Sequence, residues 1–179
     1  VPTLARSRHL FERALLAGLH QTDPAEGAAS IAYNLAALGR ASMALRERLS
    51  VEQWGLMRSM AEGFALSLET APGELPTLGQ VLPALDRLAL QLAAVTGAQT
   101  DRMTRDHGWR LLTVGRLLER LIGVATTLGA FLQAKALGST VGTELLLELF
   151  DSVITFRARY QRHEDLLAVV DLLVLDSAN

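Results

Sequence analysis

The sequence predicts an all-α protein, built as an up-down bundle of about seven helices. Three observations carry that expectation. Apolar residues recur at three- and four-residue spacing along nearly the whole chain. The alternating β-branched runs that make strands are lacking, and the breaks between apolar segments hold helix-capping residues. At 179 residues the chain fits one domain or a closely packed pair of helical subdomains. Such a length buries roughly two-thirds of the unfolded surface.

A first helix is expected from about Leu4 to Leu19. Asp23-Pro24-Ala25-Glu26 reads as an N-cap, a proline at the first helical position and a capping glutamate, opening a second helix that reaches about Arg48. Ser50-Val51-Glu52-Gln53 is another capping box and opens a third helix ending near Thr70. Ala71-Pro72-Gly73 and Pro76 then mark the clearest loop in the chain. Thr77 with Gln80 caps a fourth helix reaching about Ala98, where Pro83 either kinks the helix or moves its start later. The fifth helix is long, from about Asp101 to Leu137. Gly138-Ser139-Thr140 separates it from a sixth, about Val141 to Gln161, and a short seventh occupies about Glu164 to Leu175. No fixed-period repeat indicates a solenoid, although Leu38-Gly39-Arg40 and Val114-Gly115-Arg116 sit in similar helical contexts.

Half of the residues are apolar and the mean hydropathy is +0.25. That is high for a soluble domain, so a homodimer partner or a second domain is expected to cover some helix faces. The net charge is only -2, with acids and bases interspersed. Neither a nucleic-acid backbone nor an anionic membrane finds an electrostatic footprint here. Cysteine is absent, which excludes disulfides, thiol catalysis and thiolate metal sites and fits the cytoplasmic location expected for the chain. Neither end reads as a signal peptide, and the longest uncharged apolar stretch, Leu121 to Gln133, is shorter than the roughly 20 residues that span a bilayer. No membrane helix is expected. Lys135 is the only lysine. Such arginine usage reads either as bidentate recognition of carboxylate or phosphate or, more commonly, as the codon bias of a GC-rich genome, and so identifies no site by itself.

The usual catalytic signatures do not occur. Glu-x-x-His pairs of a di-iron bundle are missing, and His9, His20, His107 and His163 lie at spacings that make no zinc signature. Neither a phosphate-binding glycine loop nor a Gly-x-Ser-x-Gly elbow is found. No metal and no cofactor is expected. What stands out is charge placement. On a wheel of the fifth helix, Met103, His107, Leu111, Val114, Leu118, Leu121, Ala125 and Leu132 form an apolar face. Opposite them fall Arg105, Trp109, Arg116, Glu119, Arg120, Gly123 and Thr127. This stripe reads either as an anion-binding surface or, more commonly for a lone stripe, as a solvated face held by spaced ion pairs. Trp109 is what the solvated face explains least well.

In the sixth helix Glu144, Glu148, Asp151 and Thr155 line one exposed acidic face, whereas Arg157 and Tyr160 project with Leu146, Phe150 and Val153. Asp171 is the single charge in the apolar run Leu166 to Leu175. Arg157 and Asp171 are therefore expected to be buried and paired. The pair reads as an internal clamp between consecutive helices or as part of a polar pocket in the bundle, the clamp being the commoner arrangement.

Met103-Thr104-Arg105-Asp106-His107-Gly108-Trp109-Arg110, followed by Gly115-Arg116-Leu117-Leu118-Glu119-Arg120, resembles the signature of the bacterial alpha-E domain family, named for a Glu-Arg pair. Leu147-Glu148-Leu149-Phe150-Asp151-Ser152, Thr155-Phe156-Arg157-Ala158-Arg159-Tyr160 and Val170-Asp171-Leu172-Leu173-Val174-Leu175-Asp176 are similar to its C-terminal pattern. The first half resembles it more loosely, through Asp23-Pro24 and Leu45 to Trp54. Two departures bear on function: the family's N-terminal Asn-Leu-x-Trp-x-Gly-Arg-Tyr-x-Glu-Arg helix and its Pro-Arg-Ser-Leu continuation are not found. The chain thus reads as residues 1–179 of a single alpha-E-like domain, excised from something longer.

The resemblance implies a helical protein encoded beside, or fused to, circularly permuted ATP-grasp ligases, in a setting of peptide synthesis or modification. It transfers a context and not a mechanism. Two functions follow as expectations. The first is a non-catalytic module that partners an ATP-grasp or other peptide-modifying enzyme, binding an anionic peptide or partner through Arg105, Trp109, Arg116, Glu119 and Arg120. The alternative is an enzyme acting on a peptide or aminoacyl intermediate, with Glu119 as acid or base and Arg116 and Arg120 holding a carboxylate or phosphate. A catalytic Glu119 belongs in a concave, partly desolvated pocket; a module presents it on an open surface.

Overall fold

A computed structural model describes residues 4–19, 30–71, 73–160 and 166–176. Among them are eight α-helices and no strand. The chain divides into two compact units, Val1–Met103 and Thr104–Asn179.

The first unit contains α1 (Leu4–Leu19), α2 (Ile31–Ala44), α3 (Val51–Ser67) and α4 (Leu78–Asp101), with a 3-10 turn at Arg46–Arg48. The expected cap at Asp23 lies outside the described residues. In the described part of that segment, Ser30 caps α2 by accepting a hydrogen bond from Tyr33 N at 3.0 Å. Ser50 and Gln53 form the expected reciprocal box at the start of α3, each side chain accepting from the other's backbone N–H at 3.2 Å. Next to it, the Glu52 carboxyl lies below its ordinary value because its own backbone N–H and then Ser50 hydrogen-bond its charged form. The core follows from helical spacing: Met57, Met60, Phe64 and Leu68 meet Val81, Ala84, Leu88 and Val95 of α4. α3 packs against both α2 and α4.

Pro83 sits inside α4, which runs on to Asp101. This helix is long and apolar enough to cross a membrane by length and composition. Its Val81, Ala84, Leu88 and Val95 nevertheless pack into the first core, and the helix carries the exposed charges of Asp86 and Arg87.

The second unit contains α5 (His107–Gln133), α6 (Thr140–Leu149), α7 (Val153–Tyr160) and α8 (Leu166–Val170), the last continuing as a π-helical turn, Asp171–Leu175. Its core gathers Val124, Leu146, Leu147, Phe156, Val169, Leu172 and Leu173. Three boundaries differ from expectation, one being the end of α5, at Gln133 and not near Leu137. α5 begins at His107 and not near Asp101, because the Asp106 carboxylate accepts from Trp109 N at 3.1 Å and starts a new helix. The expected sixth helix is two helices. Asp151 adopts φ 50°, Ser152 N donates to Leu147 O at 2.8 Å and Asp151 N to Glu148 O at 3.0 Å. These are the paired bonds that close a helix through a left-handed residue, with aspartate in the place glycine usually takes.

Candidate functional site

The break at Phe150–Asp151–Ser152 resets the phase of α7 and so moves Arg157, while Leu167 and Val174, with which Asp171 shares its face, are themselves exposed; the expected Arg157–Asp171 clamp fails on both sides. Arg157 is exposed and reaches Glu144 on α6 at 3.4 Å, with the two side chains 66% and 52% accessible. A pair so open is worth a few tenths of a kcal/mol to about 1. Asp171 is likewise exposed, and it accepts a 2.5 Å hydrogen bond from the Tyr160 hydroxyl. The adjacent Arg159 pairs with Asp176. The i→i+5 bond from Asp176 N to Asp171 O, 2.8 Å, places the two carboxylates one π turn apart, where consecutive residues of α7 reach them. The C-terminal motif residues thus join α7 to the last segment at its surface. No buried polar pocket is made of Arg157 and Asp171. Sequence reasoning missed Tyr160 and Arg159 as the partners, although both stand in the motif.

The structure divides the residues of the expected stripe into two groups. Arg105 precedes the helix and lies over the Trp109 ring, its guanidinium carbon 5.5 Å from the centroid. This is cation–π reach, and Trp109 is half-buried. Arg116 begins two turns later, roughly 10 Å along the axis at 1.5 Å per residue. Arg116, Glu119 and Arg120 are all exposed, and no ion pair joins them among the described residues. They share neighbouring positions on one side of the helix, spaced i, i+3 and i+4.

What surrounds them is unexpected. Every residue from Val114 to Gly123 is exposed, so about three turns of α5 present their whole circumference. The face read as apolar is open: Leu111 is 73% accessible, Leu118 53% and Leu121 59%. Only Val124, Leu128 and Phe131, near the C-terminal end, join the second core. A concavity of about 640 Å³ does occur, in the first unit, between the end of α1 and the loop after α3, lined by residues such as Ala17, Leu68, Glu69 and Leu75. None of the candidate residues lines it.

Two further features were not singled out from sequence. Trp54 on α3 lies beneath two guanidiniums, Arg46 at 4.7 Å and Arg58 at 5.3 Å, and its indole N–H is buried without an acceptor among the described residues. The i, i+4 spacing of Trp54 and Arg58 is the signal that could have found half of this stack. The second is a repeated pattern. Glu12–Arg13 on α1, with exposed Leu10, Phe11 and Leu15, has the same order as Glu119–Arg120 with exposed Leu117, Leu118 and Ile122.

An all-α chain with an exposed Glu-Arg helix defines a class of helical domain. Residues 10–179 match Alpha-E, described as a predicted alpha-helical domain with a conserved ER motif. The chain belongs to this family, and the matched residues run through both units and include Glu12–Arg13 as well as Glu119–Arg120. No curated protein and no solved structure matches the chain.

Proposed function

We propose that this chain is a non-catalytic helical module that partners an ATP-grasp-type ligase or another peptide-modifying protein, and that the Arg116–Glu119–Arg120 face of α5 receives an anionic segment of that partner or its peptide. The observation that carries this reading is that every residue of Val114–Gly123, the segment bearing the Glu-Arg pair, is exposed. Two guanidiniums one turn apart suit bidentate capture of carboxylates, and Glu119 between them selects against the wrong charge pattern. The ATP-grasp setting comes from the family resemblance. The enzyme reading draws no support from the site: Glu119 has no concavity beside it to orient a substrate or exclude water.

The test is binding of the chain to the ATP-grasp-type ligase proposed as its partner, measured by interferometry. The joint Arg116→Ala, Arg120→Ala variant is expected to weaken binding about tenfold or more, and binding is expected to fall with salt. Absence of binding at about 100 µM, or binding indifferent to both arginines, overturns the proposal. So does turnover of a peptide or aminoacyl substrate that is lost in Glu119→Gln.

A further inference from the structure

The open apolar face of α5 has an internal symmetry. Leu111, Val114, Leu118, Leu121, Ala125 and Leu128 follow one another at alternating intervals of three and four, the heptad seam of a coiled coil. Their sizes run large, small, large, large, small, large, the same from either end. The centre of this order falls between Glu119 and Arg120. All are exposed except Leu128, which is half-buried where the helix joins its own core.

We infer that α5 forms a homodimer interface, pairing antiparallel with α5 of a second copy of the chain about a two-fold axis between Glu119 and Arg120. An antiparallel copy sets Leu118 against the partner's Leu121, Val114 against the partner's Ala125, and Leu111 against the partner's Leu128. Large then meets large and small meets small at every level. A parallel copy would set Ala125 against itself and leave a gap between leucine layers. A foreign helix would need no such symmetry, which is why the seam singles out a second copy.

Charge and area agree. Arg116, Glu119 and Arg120 lie on the far side of the helix from the seam, so pairing buries none of them and leaves them free for another ligand. Leu111, Val114, Leu117, Leu118, Leu121 and Ile122 are each more than half exposed. At on the order of 100 Å² apiece, two such faces cover roughly 1,200 Å², the lower bound for a specific stable interface. An interface of that size supports association in the micromolar range.

The test is sedimentation velocity on the full chain from about 1 to 100 µM, with charge placed in the seam. Wild type is expected to dimerise within this range. Leu118→Glu with Leu121→Glu brings carboxylates together and is expected to leave only monomer. Leu118→Glu with Leu121→Lys places opposite charges across an antiparallel interface and is expected to restore association at least tenfold over the all-glutamate variant. Both positions are exposed, so far-UV circular dichroism should match wild type. A second measurement does not depend on charge. Because the chain lacks cysteine, mixed Leu118→Cys and Leu121→Cys chains should oxidise to a cross-linked pair faster than either alone. A strictly monomeric wild type, a charge swap no better than the all-glutamate variant, or faster cross-linking of either single variant overturns the proposal. None of these outcomes bears on whether the arginine face binds a ligase.

Discussion

Replacing Gly142 by alanine should destabilise the second unit more than any conservative surface change. Gly142 is the third residue of α6, and its N–H donates to the capping Ser139 hydroxyl at 3.1 Å. A Cβ added there would lie 2.0 Å from the Ala136 carbonyl oxygen, 2.7 Å from its carbon and 3.0 Å from Ser139 Oγ. The obstacle is backbone, and the same carbonyl accepts from Ser139 N at 3.1 Å and from Ser139 Oγ at 2.9 Å. Relieving the clash means moving the 3-10 turn by an ångström or so, which also loosens the cap. Overpacking costs about 1–3 kcal/mol and a lost cap about 1. Alanine's helical preference returns about 0.5–1 kcal/mol, leaving a net loss of about 1–3.5. Urea unfolding followed by far-UV circular dichroism measures this. Gly123→Ala is the control, because a Cβ there meets nothing within 4 Å, and it should gain about 0.5–1 kcal/mol. A Gly142→Ala protein as stable as wild type would refute the packing argument.

Leu172 is fully buried in the second core, so Leu172→Ala should cost about 2–5 kcal/mol in the same urea experiment; a loss under about 1 would contradict its placement. The Tyr160 phenol lies above its ordinary value of 10.0 because it donates to Asp171, with desolvation and that carboxylate's charge adding to the effect. A raised folded value means that the contribution to stability is present below the ordinary phenol value and is lost as pH rises through the folded one. In a Tyr33→Phe background, ultraviolet titration should show Tyr160 ionising at lower pH once Asp171 becomes asparagine, and an unchanged titration would rule out the hydrogen bond.

How much of this was legible depended on whether the signal was local. The Ser50–Gln53 and Thr77–Gln80 boxes need only one turn of chain, and both helices start where those residues say. The ends that were misread close without glycine. Lys135 at φ 53° and Asp151 at φ 50° take the left-handed conformation that a search for Gly and Pro passes over. The second error compounds the first: with α6 and α7 read as one helix, Arg157 fell on the apolar side, and the actual turn carried it out to Glu144. On α5 the wheel identified an apolar face correctly as a pattern. Which face meets the core was not in the pattern, because Val124, Leu128 and Phe131 are as apolar as Leu111 and Leu118. The candidate stripe was legible as a set of residues but not in its setting, since exposure along Val114–Gly123 depends on how the rest of the unit packs.

Hydrogen–deuterium exchange across α5 tests the central claim most directly, that the exposed Glu-Arg segment is where a partner docks. The chain carrying both Leu118→Glu and Leu121→Glu isolates this from self-association, and it is compared alone and with the ATP-grasp-type ligase proposed as its partner at saturating concentration. Amides of Val114–Gly123 lie on an open helix and should exchange quickly in the free chain. The account predicts that the ligase slows them by about tenfold or more, and that Arg116→Ala with Arg120→Ala removes the protection. A ligase that binds while leaving this segment unprotected, or that protects it equally without the arginines, would contradict it.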